Sequence, residues 1–189
     1  CTAHARRKYY DARTSDAATS AQALAYIRLL YDVEDQAKDL AASESDPIAQ
    51  RLKLVAERLR LRQELSLPRL SQYKAYLESR QASHGGPVLP KSPMGEAITY
   101  TLNQCDALCV YTTDGALDID NNVAERALRP IAVGRGNWLF MGSDNGGNTA
   151  AVLFTFVATC ERHRVNPFAY LRDVLTRIAA HPMNSRKRK

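Results

Sequence analysis

Apolar residues recur at helical spacing through most of the chain. Ala23, Ile27, Leu30, Val33, Ala37 and Leu40 follow steps of 4, 3, 3, 4 and 3, the stripe of an amphipathic helix, and predict a helix over about 17–41. Ser43 to Pro47 reads as a turn in which Asp46 caps the next helix and Pro47 takes its first position. That second helix carries Leu52, Val55 and Leu59 until Pro68 interrupts it, and Tyr73, Tyr76 and Leu77 suggest a third helical stretch. Gly85, Gly86, Pro87 and Pro90 then break the pattern and mark a loop or subdomain joint over 83–91.

Ser92 and Pro93 form a second cap pair, ahead of the stripe Met94, Ile98, Leu102, Cys105 and Leu108. A short helix is expected from about Asn122, ended by Pro130 because the residue before a proline disfavours helical geometry. Trp138 to Met141, between Gly134, Gly136 and Gly142, reads as a short strand or hairpin edge. Asn148 is expected to cap an apolar helix over 149–163. Asn166 with Pro167 should start another helix, in which Phe168, Leu171, Val174 and Ile178 face inward. No repeat of fixed period is seen.

With 189 residues the chain is long enough for one substantial core and too short for three domains. A formal net charge of +6 favours a polyanionic partner, nucleic acid first. Charge is also segregated. Residues 31–50 hold six acids and one base, and residues 51–80 hold eight bases and three acids, so the two stretches either attract each other or present a basic helix to DNA. The tail Arg186 to Lys189 is basic and expected to be disordered.

Four scattered cysteines do not make a secreted disulfide framework, which points to a reducing cytoplasm. The longest apolar stretch, near Ala150 to Cys160, is too short to span a membrane. The first residue is Cys1 and the first methionine is Met94, so the sequence is expected to begin inside a longer reading frame.

The chemistry concentrates in residues 112–130, with Asp114, Asp118, Asp120 and Glu125 uninterrupted by a base. Asp114 to Glu125 has the length of a calcium-binding helix-loop-helix loop. Ala116 at its third ligand position and Ile119 in place of the turn glycine exclude that reading. Asn122 and Glu125 also fit a capping box. The functional alternative is a carboxylate on the first turn of a helix, with Arg126 and Arg129 beside it for phosphate contact, as two-metal phosphoryl transfer requires. Such a centre needs about three acids.

Cys105 and Cys109 share a helix face and could bind zinc with Cys1 and His4, but Cys105 continues the apolar stripe, which favours core thiols. Gly142 to Gly147 lacks the lysine of a phosphate-binding loop and reads as a turn. His163 suits a solvated helix end, and Trp138 suits a core position. Arg135 and Asn137, among glycines, are the further candidates for DNA contact.

The blocks CTAHARRKYYDAR, KSPMGEAITYTLNQ, DNNVAERALRP, VGRGNWLFMGSDNGG and AAVLFTFVATCERHRVNPFAYLRDVL stand in this order. Together they closely resemble the C-terminal half of the insertion sequence 66 family of bacterial transposases, over Cys1 to about Ile178. The resemblance implies a ribonuclease-H-like DDE enzyme, in which two aspartates and a glutamate bind two Mg²⁺ or Mn²⁺ ions for attack on a DNA phosphodiester. Glu125 matches the family's glutamate. The two aspartates precede the first block and are absent here, so the chain alone is expected to be inactive and not to hold the metals. Asp120, Asn121 and Asn122 are left as caps or local support.

The implied fold is mainly α with a short β element: the C-terminal part of a ribonuclease-H-like α/β domain plus its helical insertion. Its expected parts are the end of the catalytic core (1–11), the helical insertion (12–110), the core part with the glutamate helix (111–180) and a basic tail (181–189). The implied partners are terminal inverted repeats and target DNA, further copies of the chain in a homo-oligomer, and accessory proteins of the element. No membrane is implied, and the expected location is the bacterial cytoplasm, with the nucleoid. Thr2, Gly136 and the ending MNSRKRK depart from the family pattern. The alternative is a non-catalytic helical module, binding DNA or protein, left by a decayed element.

Overall fold

The computed structural model describes residues 1–138, 142–178 and 180, with the backbone alone at 137 and 138. The described elements are α1 (Thr2–Asp11), α2 (Ala17–Ala41), α3 (Pro47–Leu61), α4 (Leu67–Arg80), α5 (Pro93–Asn103), α6 (Cys105–Cys109), α7 (Asn122–Trp138), α8 (Asp144–Arg162) and α9 (Pro167–Ile178). A π turn, Arg62–Ser66, joins α3 to α4. By packing, the chain divides into two units, Cys1–Asn122 and Val123–Lys189.

Local signals place most helix starts. Asp16 accepts the Thr19 N–H, Asp46 the Ala49 N–H, Ser92 the Gly95 N–H and Asn166 the Ala169 N–H. Each side chain satisfies a donor that has no partner within the helix. Proline holds the first turn of α3 and of α5. After α4 the chain reverses at Gly85, whose φ of 77° suits glycine, and one isolated bridge pairs Gln81 with Val88.

In the first unit α2 is the central helix. Its face of Ala23, Ile27, Leu30, Val33 and Ala37 is fully buried. Ala23 and Ile27 pack with Tyr9, Tyr73, Leu77, Met94 and Ile98, Leu30 with Leu70, Tyr111 and Ile119, and Val33 and Ala37 with Leu61. Three apolar positions of the predicted stripes turn outward instead: Leu40 is 44% exposed, Leu52 68% and Leu59 39%. Leu40 and Leu52 lie near the α2–α3 turn, where the chain reverses. The single stripe predicted from Met94 to Leu108 is divided at Gln104 into α5 and α6.

In the second unit α8 is capped by Ser143, which accepts the Gly146 N–H, so it starts before the expected Asn148 cap. Phe156 and Tyr170 bring their rings within 6.3 Å between α8 and α9. The expected inward set does not hold: Phe168 and Ile178 are exposed, Leu171 and Val174 are half-buried, and α9 has no buried residue.

The fold class expected from the resemblance is corrected. Among the described residues there is no strand and no sheet, and therefore no ribonuclease-H-like α/β layer. The only sequence candidate for a strand stood alone, and a lone strand leaves its backbone donors and acceptors without a ladder partner. Its first residue, Trp138, is instead the last residue of α7, and 139–141 lie outside the described residues. Pro130 does not end that helix either. α7 runs through it and through Gly134 and Gly136, although an interior proline has no N–H for the i−4 carbonyl. The tail 181–189 also lies outside the described residues.

Candidate functional site

Within the first unit, the loop at 111–117 is held by one buried cation. Arg62, at the start of the π turn, is fully buried. Its Nε and Nη2 donate to the two carboxylate oxygens of Glu34 on α2, each at 2.7 Å. Nη1 donates to the Tyr111 and Asp114 carbonyls at 2.7 and 2.8 Å, and Nη2 also to the Leu117 carbonyl at 2.9 Å. A guanidinium has five N–H groups, and all five are used. That is the condition under which a buried charge is tolerated.

Neighbouring contacts complete the clamp. Gln63 donates to the Thr112 carbonyl at 2.8 Å, and the guanidinium of Arg62 lies 4.9 Å from the Tyr111 ring centre. Burial pushes the Tyr111 hydroxyl up to about 12. Gly115 lies so close to α3 that a Cβ there would stand 1.9 Å from the Val55 carbonyl oxygen, so only glycine fits. Arg58 donates to Asp118 at 3.0 Å and stands 3.2 Å from Glu34 without a directed bond from its Nε.

This clamp delivers the chain to the start of α7. Asp120 is half-buried and uses both oxygens: Oδ2 accepts from the Tyr31 hydroxyl of α2 at 2.9 Å, and Oδ1 accepts the Asn122 N–H at 3.0 Å. The Asn122 amide is thus satisfied by Asp120 and not by Glu125, which corrects the expected capping box. Asn121 is exposed, and Asn122 is the first residue of α7.

Glu125 is half-buried in the first turn of α7, and Arg126, Arg129 and Arg135 on the same helix are exposed. At about 100° per residue, Arg129 lies about 40° and Arg126 about 100° round from Glu125, so the three share one side of the helix. Arg135 is helical rather than in a glycine loop. The backbone of Asn137 is helical too, and its side chain lies outside the described residues.

The donor set for metal ions can be tested on these contacts. Asp114 accepts the Ala116 N–H at 2.8 Å, Asp118 pairs with Arg58, and Asp120 bridges Tyr31 to Asn122. These three carboxylates shape the loop. Each of the three is thus engaged within the first unit, whereas a two-metal centre requires several carboxylates directed at the ions. Cys105 and Cys109 are both half-buried, and burial, then the neighbouring Cys105, push the Cys109 thiol up to about 11.

Sequence reading did not single out Arg62, Glu34 or Tyr31. A signal was present for Glu34, which follows Leu30 and Val33 on the buried stripe of α2, where a charge requires a partner. The basic stretch 51–80 resolves in favour of internal pairing. Lys53 pairs with Glu44, Arg58 and Arg62 with Glu34, Arg60 with Glu57 and Glu64, and Arg80 with Asp16.

Residues 1–149 match the transposase IS66 family, and residues 155–186 match the IS66 C-terminal element. The chain belongs to the IS66 transposase family. Its curated relatives include three proteins of Sinorhizobium fredii that carry the name uncharacterized protein: y4hP at 34% identity over 97% of this chain, y4qI at 37% over 95%, and y4jD at 30% over 95%. The IS66 chain spans about a third of their length, 32%, 30% and 32% in turn. No solved structure matches it. None of the described helices of this IS66 chain is long and apolar enough to cross a membrane.

Proposed function

We propose that this chain is the glutamate-bearing part of a DNA transposase, acting on the ends of its own element and on target DNA. The observation that carries the reading is the family match over 1–149, which includes Glu125 on the first turn of α7. In this reading Glu125 supplies one ligand to a divalent ion, Mg²⁺ or Mn²⁺, and the remaining carboxylates come from the part of the relatives that this chain does not span. Bound ions would supply Lewis-acid stabilisation of the attacking and leaving oxygens of a phosphodiester.

The chain's own residues have simpler roles. Arg126 and Arg129, on the Glu125 side of α7, contact phosphate, and Arg135 and Asn137 extend the contact along the helix. Asp120 sets the start of that helix. Action on two element ends suits an assembly of several copies, with accessory proteins of the element.

The test uses the full-length protein with Mg²⁺ and DNA carrying the element's ends. Glu125→Gln, which keeps size and removes charge, is expected to abolish strand cleavage and transfer while DNA binding persists. Strand transfer by the Gln variant at the parent rate overturns the assignment.

A further inference from the structure

The strongest unassigned charge on the first unit is on α1. Residues 1–14 contain Arg6, Arg7, Lys8 and Arg13 against one acid, Asp11. The helix is two-faced. Thr2, Ala5, Tyr9 and Ala12 are buried against the unit, while Arg6, Arg7, Lys8, Tyr10 and Arg13 are all exposed. Arg6 and Tyr10 lie four residues apart on α1, with Arg7 beside them, and Arg13 follows in the 3-10 turn Ala12–Thr14, where its guanidinium comes back over the Tyr10 ring.

The geometry points to this outer face of α1 as a contact surface for the phosphate backbone of DNA. The inference rests on the transposase reading above and adds a second, separate place at which the chain meets its substrate.

Three observations support it. First, most of the other basic stretch is engaged within the fold: of the eight bases in 51–80, five pair with acids, as described, and Arg69 donates to the Leu29 carbonyl at 2.8 Å. On α1 the one acid stands 3.7 Å from Arg7, with both side chains largely exposed. Such a pair is worth little in water and yields readily to a phosphate.

Second, Arg13 is pre-organised. Its Nη1 donates to the Tyr10 carbonyl at 2.7 Å and its guanidinium lies 4.0 Å over the Tyr10 ring, which is itself 49% exposed. A guanidinium held over an aromatic ring keeps further N–H groups for a phosphate and loses less freedom on binding.

Third, the flank adjoins the stretch that leads into α7. A groove lined by Cys1, Thr2, Asp118, Asp120 and Asn121 runs beside the start of α1. Of the nearby acids, Asp118 is paired with Arg58, and Asp120 is half-buried with both oxygens accepting hydrogen bonds from Tyr31 and the Asn122 N–H.

The experiment measures binding of the 189-residue chain to a labelled random-sequence DNA duplex across a series of salt concentrations. Each phosphate contact contributes about 0.9 to the slope of log K against log salt. The triple variant Arg6→Gln, Arg7→Gln, Arg13→Gln is expected to lower that slope by roughly 2–3 and to weaken binding at least about tenfold at low salt. The corresponding Arg→Lys triple variant keeps the charge and should keep the slope.

Arg7→Gln alone, at a side chain 80% exposed and so without a packing role, should lower the slope by about 0.9. An unchanged slope in both Gln variants overturns the proposal, as does failure of the parent chain to bind the duplex. Neither result bears on Glu125→Gln, which reads strand transfer, so the two proposals fail separately.

Discussion

Arg62 and Glu34 form a two-pronged ion pair, with both nitrogen–oxygen distances 2.7 Å and the arginine wholly removed from solvent. The pair joins the π turn to α2. The same guanidinium binds three carbonyls of the loop at Tyr111, Asp114 and Leu117. One side chain thus welds two helical elements to the segment that precedes the glutamate helix.

Truncating this arginine should therefore be severe. Arg62→Met leaves Glu34 buried with Arg58 as its remaining cation, and removing one partner of a buried pair costs about 3–5 kcal/mol. Arg62→Lys should recover only part of this, because an ammonium has three donors for five acceptors. Urea unfolding of the chain gives the stability, and amide exchange or proteolysis at 111–117 reports release of the loop. A Met variant as stable as the parent would show that the clamp contributes nothing.

Tyr31→Phe tests the link between α2 and the start of α7. It removes the donor to Asp120 Oδ2 and should cost about 1 kcal/mol. Its more specific sign is faster amide exchange at Asn122, whose N–H is held by the same carboxylate. Unchanged exchange at that amide would mean that Asp120 keeps its position without the tyrosine.

Asp16 predicts a pH signature. Its carboxyl lies below the ordinary 3.8, first because the Thr19 hydroxyl donates to it, then because the Thr19 backbone N–H does. A carboxyl with a depressed folded pKa contributes stability above its unfolded value and loses it as pH falls through the folded one. Asp16→Ala should thus cost about 1 kcal/mol near neutrality, with the deficit shrinking below about pH 3.8. Thermal melts of both proteins from pH 7 to pH 2 measure it, and a deficit that stays constant with pH contradicts the charged cap.

Cys109 predicts a chemical one. With its thiol near 11, only about 0.1% is thiolate at pH 8, and alkylation proceeds through the thiolate. Iodoacetamide labelling of this residue, followed by mass spectrometry, should be slow at pH 8 and rise about tenfold per pH unit toward 11. Labelling at pH 8 at the rate of an ordinary free thiol would show that burial does not protect the group.

Much of the helical framework was legible because its signals are local. Ala17–Ala41 has the bounds that its stripe predicts, and Asp46 with Pro47, Ser92 with Pro93 and Asn166 with Pro167 start α3, α5 and α9. Local rules failed where several compete. Ser143 outranks Asn148 as a cap, and α7 passes through a proline and two glycines that each read as a stop. At the candidate site, the helix start near Asn122 and the acidic loop before it were legible, but the carboxylate that satisfies the Asn122 amide was not, since Asp120 and Glu125 both lie within reach.

What this sequence determined by itself is the set of helices, most of their caps and membership of a family, because a cap bond or a stripe involves residues three or four apart. What only the tertiary structure decided is which charges meet. Arg62 lies 28 residues from Glu34 and 52 from the Asp114 carbonyl that it binds. A buried charge is stable only where every donor finds an acceptor, and which acceptors surround it follows from how α2, the π turn and the loop pack together. Seen along the chain, Arg62 is one of eight bases in a basic stretch. Folded, it is the cation that holds the loop from Tyr111 to Leu117 against α2.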